Sequence, residues 1–200
     1  MSILGDRLSL SARVHRARNN ALTVTYSDPV GVELATGKQK SSAAVLFGFK
    51  NGGKAAYTIE GGGTHLDVAV AATTTVSRDG AVLGSIVGQG SSARIESAAA
   101  TLLADIHPYD GAKADPAWSH KLTGPDGEPI GTLTLMRTAG GWSLQDFVSW
   151  TATWDMTGLG AKTPSAGASL QLDAPAADVL ADLLVAALLD VATLPRGYIA

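Results

Sequence analysis

Hydrophobic and polar residues alternate with a period of two along most of the chain. In residues 7–14, Leu8, Leu10, Ala12 and Val14 would lie on one side of a strand, with arginine and serine on the other. This alternation is typical of a half-buried β-strand. Further segments with strand character are 22–26, 43–49, 55–59, 66–76, 142–155 and 169–172. Together with the hairpins below, they predict about ten to twelve strands in a mainly β (α+β) protein.

Two segments share one turn pattern and predict two hairpins in one sheet system. They read DGAVLG at 79–84 and DGEPIG at 126–131. Asp-Gly between apolar residues favours a tight hairpin turn, because glycine tolerates a positive φ. Residues 93–106 fit a helix or a hairpin. We expect the hairpin, with strands at 94–96 and 102–106, because the neighbouring segments are strands.

The C-terminal stretch DAPAADVLADLLVAALLDVATL predicts one helix over 174–193. Asp173 suits the N-cap position and Pro175 the first turn. Between Asp182 and Asp190 the run LLVAALL has no polar face, so the helix is expected to be buried. We expect Asp178, Asp182 and Asp190 to lie at the helix end and at the rim of the domain. Seven apolar residues are too few to span a bilayer, which needs about 18 or more.

Composition indicates one domain covering residues 1–200. Hydrophobic residues make up 46% of the chain and charged residues 16%, with 23 glycines, which is typical of a β protein rich in turns. The chain has no cysteine, which excludes disulfides, thiolate metal sites and cysteine nucleophiles. No signal-peptide pattern precedes the first charges, so we expect a cytoplasmic protein.

Charge is distributed unevenly along the sequence. Residues 1–54 hold eight basic and three acidic residues, whereas residues 55–200 hold seven basic and fifteen acidic ones. The basic segment either forms an anion-binding face or is paired with acids elsewhere in the fold. Nucleic acid is not expected as a partner, because the pI is about 5.7 and no recognition motif is present.

Catalytic and cofactor motifs are absent, so we expect no catalytic residue, metal or cofactor. His65 and Asp67 would share one face of a strand, but a metal site needs a third ligand. The glycine-rich run GSIVGQGSS lacks the Gly-Lys-Ser/Thr ending of a phosphate loop. An alternative remains open, in which an enzyme, such as a hydrolase, assembles its site from His65, Asp67, His107 and His120 only in three dimensions. A structural or assembly protein is the other alternative.

Residues 76–106 resemble the core of the tubby C-terminal-like superfamily, which includes phospholipid-scramblase-like and LURP-one-related proteins. The resemblance rests on Asp79-Gly80, Leu83-Gly84 and Arg94-Ile95-Glu96. Ala99-Ala100 stands where Ala-Gly is typical of the superfamily. The resemblance extends over most of the chain from about residue 20. It implies a closed antiparallel barrel of twelve strands around a C-terminal hydrophobic helix.

The resemblance also implies a non-catalytic binding module that recognises anionic lipid headgroups or a protein partner. Such a protein would lie at the membrane periphery without a transmembrane segment. The candidate anion-binding or lipid-binding residues are Arg13, Arg16, Arg18, Lys38, Lys40, Lys50 and Lys54. The chain has no acidic calcium loop of the D-x-D-x-D-G kind, which argues against calcium-dependent lipid scrambling.

Overall fold

The computed structural model describes residues 2–16, 22–40, 55–71, 73–89, 92–108, 117–136 and 167–193. In these ranges the chain forms twelve strands and one helix. The strands are β1 (Ser9–Arg16), β2 (Leu22–Ser27), β3 (Glu33–Gln39), β4 (Ala55–Gly61), β5 (Thr64–Val70), β6 (Thr73–Arg78), β7 (Ala81–Gln89), β8 (Ser92–Ser97), β9 (Leu102–Pro108), β10 (Ala117–Thr123), β11 (Pro129–Met136) and β12 (Gly167–Leu172). The helix, α1, is Asp178–Thr193.

The strands form a closed antiparallel barrel. Each strand pairs with its neighbour in sequence, and β12 pairs with β1, for example Leu10 with Leu170. Closure leaves no edge strand in this sheet, so every strand has a partner on both sides. The fold class expected from the sequence is therefore confirmed: a mainly β protein whose barrel surrounds one C-terminal helix.

The helix fills the interior of the barrel. All residues from Ala181 to Leu189 are buried, and Leu183, Leu184 and Leu188 have no exposed surface. The inward-facing side chains of the strands, such as Val24, Leu66 and Leu133, are also buried in the same core. A helix that is apolar on nearly every side needs cover on every side, and the barrel supplies it.

Two carboxylates of the helix pair with one strand, β6. Arg78 donates two hydrogen bonds to Asp182 Oδ2, one of them from Nε at 2.7 Å. Near the other end of β6, Thr74 Oγ1 donates a hydrogen bond to Asp190 Oδ1 at 3.3 Å. Asp182 is fully buried and Asp190 is 5% exposed, and their partners Arg78 and Thr74 lie near opposite ends of β6, so the two aspartates lie near the two rims of the barrel but are covered there. They fix the rotation of the helix within the barrel. Asp178 is exposed, as expected.

Burial and the ion pair act on Asp182 in opposite directions. Desolvation raises the pKa of this carboxyl above its usual value, and the Arg78 guanidinium only partly offsets that effect. The amide of Ile3 lies close enough to lower the pKa slightly, yet Oδ1 makes no hydrogen bond within the described residues. The negative charge of Asp182 is therefore stabilised mainly by Arg78.

Several details differ from the sequence-based expectations. The helix begins at Asp178, so Asp173 is not its N-cap and Pro175 precedes it. Instead, the Asp173 amide bonds to the Ile130 carbonyl and extends the β11–β12 ladder. Segment 66–76 belongs to two strands, of which β5 ends at Val70 and β6 begins at Thr73. The strand β3 was not predicted, because Gly37 and polar residues obscure its alternation. The predicted strands at 43–49 and 142–155 lie outside the described residues.

One end of the barrel is formed by short described connections, and we call it the turn end. It comprises residues 2–8, 28–32, 62–63, 79–80, 98–101, 124–128 and 173–177, with the two residues of each strand or helix that adjoin them. Both Asp-Gly hairpins lie here, as β6–β7 and β10–β11. Asp79 and Gly80 both have a positive φ, as a two-residue hairpin turn requires.

The second glycine of each repeated motif has a steric role. A Cβ on Gly84 would collide with the backbone carbonyl of Glu96, and a Cβ on Gly131 with that of Gln171. Bulges lie beside both positions, in the β6–β7 and β10–β11 pairs. Bulges bend strands and raise their local twist.

The hairpin predicted at 93–106 is confirmed as β8 and β9. Its turn is closed by the Ser97 amide bonding to the Thr101 carbonyl at 2.9 Å. Ala100 has a φ of 57°, in the left-handed region that favours glycine. This is the position at which alanine replaces the glycine typical of the resembling family.

We predict that Ala100→Gly stabilises the protein by about 0.5–1 kcal/mol, because it relieves a left-handed strain of about 1–2 kcal/mol at a smaller entropic cost. Urea unfolding measures the change. Ala98→Gly, in the same turn but without a positive φ, is the matched control and should be neutral or destabilising. If the two substitutions change the free energy of unfolding equally, the left-handed backbone at Ala100 does not destabilise the protein.

We predict that Arg78→Met lowers the free energy of unfolding by about 3–5 kcal/mol near neutral pH, because it leaves Asp182 charged and buried. The loss should shrink near pH 4.5. Removing the cation raises the pKa of Asp182 further. Between the pKa of the unfolded chain and this raised pKa, the folded variant therefore keeps a proton that the unfolded chain has released. Its stability therefore falls as the pH rises from about 4 through the raised pKa.

Arg94→Met is the control for this experiment, since Arg94 pairs with Glu96 and Asp105 on the exposed outer wall. It should cost at most about 1 kcal/mol. The double variant Arg78→Met/Asp182→Asn should recover part of the loss at neutral pH. A loss for Arg78→Met that is independent of pH would contradict the buried-charge explanation.

Candidate functional site

Three neighbouring strands present basic and hydroxyl side chains on the outside of the barrel. Alternation places the apolar residues of β1, β2 and β3 inside and their polar residues outside. We call the resulting surface the basic face. It consists of Arg13, His15, Thr23, Thr25, Thr36 and Lys38.

The strand register arranges the basic face in two rows. One row is His15, Thr23 and Lys38, and the next is Arg13, Thr25 and Thr36. Arg13 and Lys38 are therefore diagonal neighbours, with Cα atoms about 12 Å apart from the standard strand spacing. Both side chains are exposed, and neither forms an ion pair with another described residue. Their long side chains can converge on one anionic group above the threonines.

Of the seven residues predicted from the sequence, Lys40 has its charge largely neutralised. Its ammonium group donates a hydrogen bond to Asp67 Oδ1 on β5. This bond is the main reason that the pKa of Asp67 is lowered, and nearby His65 adds to the effect. Lys40 is therefore a weaker anion-binding candidate than Arg13 or Lys38.

Arg16 is the last residue of β1, at the end of the barrel opposite the turn end. The other predicted residues, Arg18, Lys50 and Lys54, lie outside the described residues. The strands β1 and β3 end, and β2 and β4 begin, at that same end. Among the described residues, the structure thus brings together Arg13 and Lys38.

Sequence reasoning missed His15 and the three threonines of the basic face. His15 continues the alternation that places Arg13 outside, so the pattern in β1 contains the signal for it. The threonines of β2 follow the same rule. Thr36 and Lys38 join this face because β3 pairs with β2, and β3 was not predicted as a strand from the sequence.

His65 and Asp67 lie on the outer wall, where Glu60 joins them. His65 Nδ1 is 3.5 Å from Glu60 Oε1, and His65 Nε2 is 3.6 Å from Asp67 Oδ1. The two carboxylates lie at opposite nitrogens of the ring, so the three side chains do not converge on one point. No group of three potential ligands in the described residues is arranged to hold a metal ion.

The four-residue active site considered from the sequence is not assembled. His107 lies on the outside of β9, where its Nε2 is 3.2 Å from Thr123 Oγ1, and β5 is four strands away. His120 is half-buried on β10, where burial lowers its pKa. The hypothesis that these residues and the His65–Asp67 pair form one site is therefore wrong.

An open cleft of about 510 Å³ lies at the turn end, beside the start of the helix. It is lined by Ser2, Gly5, Asp6, Arg7, Ala176 and Asp178. Two carboxylates outnumber the one guanidinium in this lining. The cleft is therefore less suited to an anion than the basic face, and we take the basic face as the candidate site.

Neither a protein-family model nor a curated protein or solved structure matches this chain. In the described ranges, no helix is long and apolar enough to cross a membrane.

Proposed function

We propose that the protein is a non-catalytic binding module that recognises anionic lipid headgroups through the basic face. The observation that carries the proposal is the exposed pair Arg13 and Lys38 on β1 and β3, with no ion-pair partner among the described residues. A phosphate group between them would receive a guanidinium and an ammonium donor. Arg presents a planar fork to phosphate, and Lys a compact charge.

Hydroxyl groups complete the chemistry of this face. Thr23, Thr25 and Thr36 lie in the rows that connect Arg13, His15 and Lys38. The Thr36 hydroxyl already donates to Glu33 Oε1 at 2.6 Å, whereas the hydroxyls of Thr23 and Thr25 can donate to phosphate oxygens without adding charge. Because all six positions stand on adjacent strands of a closed sheet, their backbone positions are fixed before a ligand arrives, which lowers the entropic cost of binding.

The negative net charge of the chain does not prevent binding to an anionic surface. The net charge is −3, and Glu33 at the edge of the turn end accepts a hydrogen bond from Thr36 Oγ1 at 2.6 Å, so one carboxylate adjoins the basic face. Lys38 lies five residues beyond Glu33 along β3, about 17 Å, which exceeds the Debye length of about 8 Å at physiological ionic strength. An anionic surface in contact with the basic face would therefore experience mainly the local positive charge.

The architecture supports the same proposal. A closed barrel of twelve strands around a C-terminal helix is what the resemblance to the tubby C-terminal-like superfamily implies, and we include membership of that superfamily in the proposal. Ala100, at the position of the typical glycine, keeps the left-handed backbone that glycine favours. The proposal assigns the protein to the cytoplasmic surface of a membrane. Lipid scrambling is not part of it.

The proposal predicts that the protein co-sediments with phosphatidylcholine vesicles only when they contain phosphatidylserine or a phosphoinositide, and less so at high salt. Arg13→Gln/Lys38→Gln should weaken this binding about 30-fold, since each basic side chain near the surface contributes about 1 kcal/mol. Vesicle co-sedimentation over a range of lipid concentrations measures the effect.

The matched control is Arg94→Gln/Lys121→Gln, which removes the same charge from the outer wall of β8 and β10. It should bind as the unsubstituted protein does. Competition by soluble inositol phosphate and by inorganic phosphate distinguishes headgroup recognition from a preference for any phosphate. Equal binding to neutral and anionic vesicles, no binding, or equal losses in the two double variants would refute the proposal.

A further inference from the structure

The most exposed large aliphatic side chains of the described residues all lie at the turn end. They are Leu8, Val30, Val32, Val82 and Val179, with exposed fractions from 38% to 84%. Single exposed aliphatic residues are common on protein surfaces. Here they collect at one end of the barrel, and three of them lie directly before β1 or in the β2–β3 connection.

Leu8, Val30 and Val32 lie at the adjoining ends of β1, β2 and β3, and we call this group the valine tip. Leu8 directly precedes β1, which pairs with β2, and Val30 and Val32 lie in the connection between β2 and β3. Val30 is 84% exposed and Val32 is 56% exposed. The valine tip therefore projects from the adjoining ends of β1, β2 and β3.

Asp28 holds the valine tip in one conformation. Its Oδ1 accepts the amide of Val30 at 3.0 Å and that of Val32 at 2.8 Å. Its own amide bonds to the Val32 carbonyl, and its carbonyl accepts the Gly31 amide, both at 3.0 Å. The exposed valines are thus ordered in the free protein, so little conformational entropy remains to be lost on contact with a partner.

The turn end is also strongly acidic. It holds ten carboxylates and two arginines, and one of these, Arg78, is bound to the buried Asp182. The carboxylates are Asp6, Asp28, Glu33, Glu60, Asp79, Glu96, Asp126, Glu128, Asp173 and Asp178. Against a total net charge of −3, the turn end carries −8, and the rest of the chain therefore carries +5.

Because acidic and basic side chains are concentrated on different surfaces of one molecule, the basic face of a second copy is complementary in charge to the turn end. The basic face offers Arg13 and Lys38 to carboxylates such as Asp6 and Glu33. Its threonines offer methyl groups to the valine tip. We infer that the turn end of one copy docks on the basic face of a second copy.

The two docking surfaces differ and lie at different places on the barrel. Such a heterologous contact leaves a free turn end on one copy and a free basic face on the other. Self-association therefore continues beyond the dimer as concentration rises. Mutual charge attraction makes it weaker at high salt. This inference does not require the protein to bind lipid, although both would use Arg13 and Lys38.

Sedimentation velocity of the full chain over a range of concentrations tests the inference. The unsubstituted protein should form species larger than a dimer at low salt and should dissociate at high salt. Val30→Ser/Val32→Ser should weaken association roughly tenfold, since it removes apolar surface worth about 1–2 kcal/mol in the contact. Val82→Ser, across the turn end from the valine tip, is the matched control and should have little effect.

A charge exchange tests the pairing of the two surfaces. Asp6→Lys/Glu33→Lys and Arg13→Glu/Lys38→Glu should each be monomeric alone, because like charges then face each other. Mixed in equal amounts, the two variants should associate again, since the charges at positions 6 and 33 of each variant are then opposite to those at positions 13 and 38 of the other. Circular dichroism confirms that both variants are folded.

A protein that stays monomeric at every concentration would overturn the inference. Association of either charge variant alone, or a mixture that does not associate, would also overturn it. Failure of lipid binding is separable from these results, because Val30→Ser/Val32→Ser should bind vesicles normally while losing self-association.

Discussion

The structure depends on burying a helix that has no polar side. Leu183, Leu184, Val185, Leu188 and Leu189 have no exposed surface, and each contributes about 1.5–3 kcal/mol on burial. Their sum is comparable to the whole net stability of an ordinary domain, about 5–15 kcal/mol. Twelve strands closed around the helix provide cover in every direction. The interior is therefore filled with side chains, and binding functions are left to the outside and the ends of the barrel.

Two different surfaces result from this arrangement. On the wall, alternation along β1, β2 and β3 places Arg13 and Lys38 outside because their neighbours face the helix. At the turn end, the short connections concentrate carboxylates and leave valines exposed. The proposed lipid contact and the proposed contact between copies both follow from this division, and they compete for the same two cations.

Much of the fold could be predicted from the sequence, because it is encoded locally. Alternation in 7–14, the two Asp-Gly motifs and the unbroken run LLVAALL each specify an element without reference to distant residues. The helix start was less predictable, because Asp173 is engaged by the carbonyl of Ile130 in another strand. The Asp-Gly motifs predicted the hairpins. The steric role of the second glycine in each motif could not be predicted, because it depends on the close approach of the Glu96 or Gln171 carbonyl from a neighbouring strand.

The candidate site was only partly predictable, because its composition depends on which strands become neighbours. The basic first quarter of the chain contains Arg13, Lys38 and Lys40 alike, and nothing local distinguishes them. Asp67 on β5 neutralises Lys40, whereas no described residue pairs with Lys38. Likewise, Arg78 and Asp182 are 104 residues apart, and their pairing arises only when the helix enters the barrel.

The pairing of β1 with β12 has a consequence for the order of folding. Ser9 and Gln171, which share a hydrogen bond across this seam, are 162 residues apart in the chain. During synthesis, β1 therefore has no partner on one side until nearly the whole chain has emerged, and the helix that fills the interior comes later still. Non-local closure of this kind makes folding slow, and it leaves apolar strand faces open in the incomplete chain. The barrel, which has no edge when complete, thus has two edges until β12 pairs with β1, and the helix that fills it follows β12 in the chain.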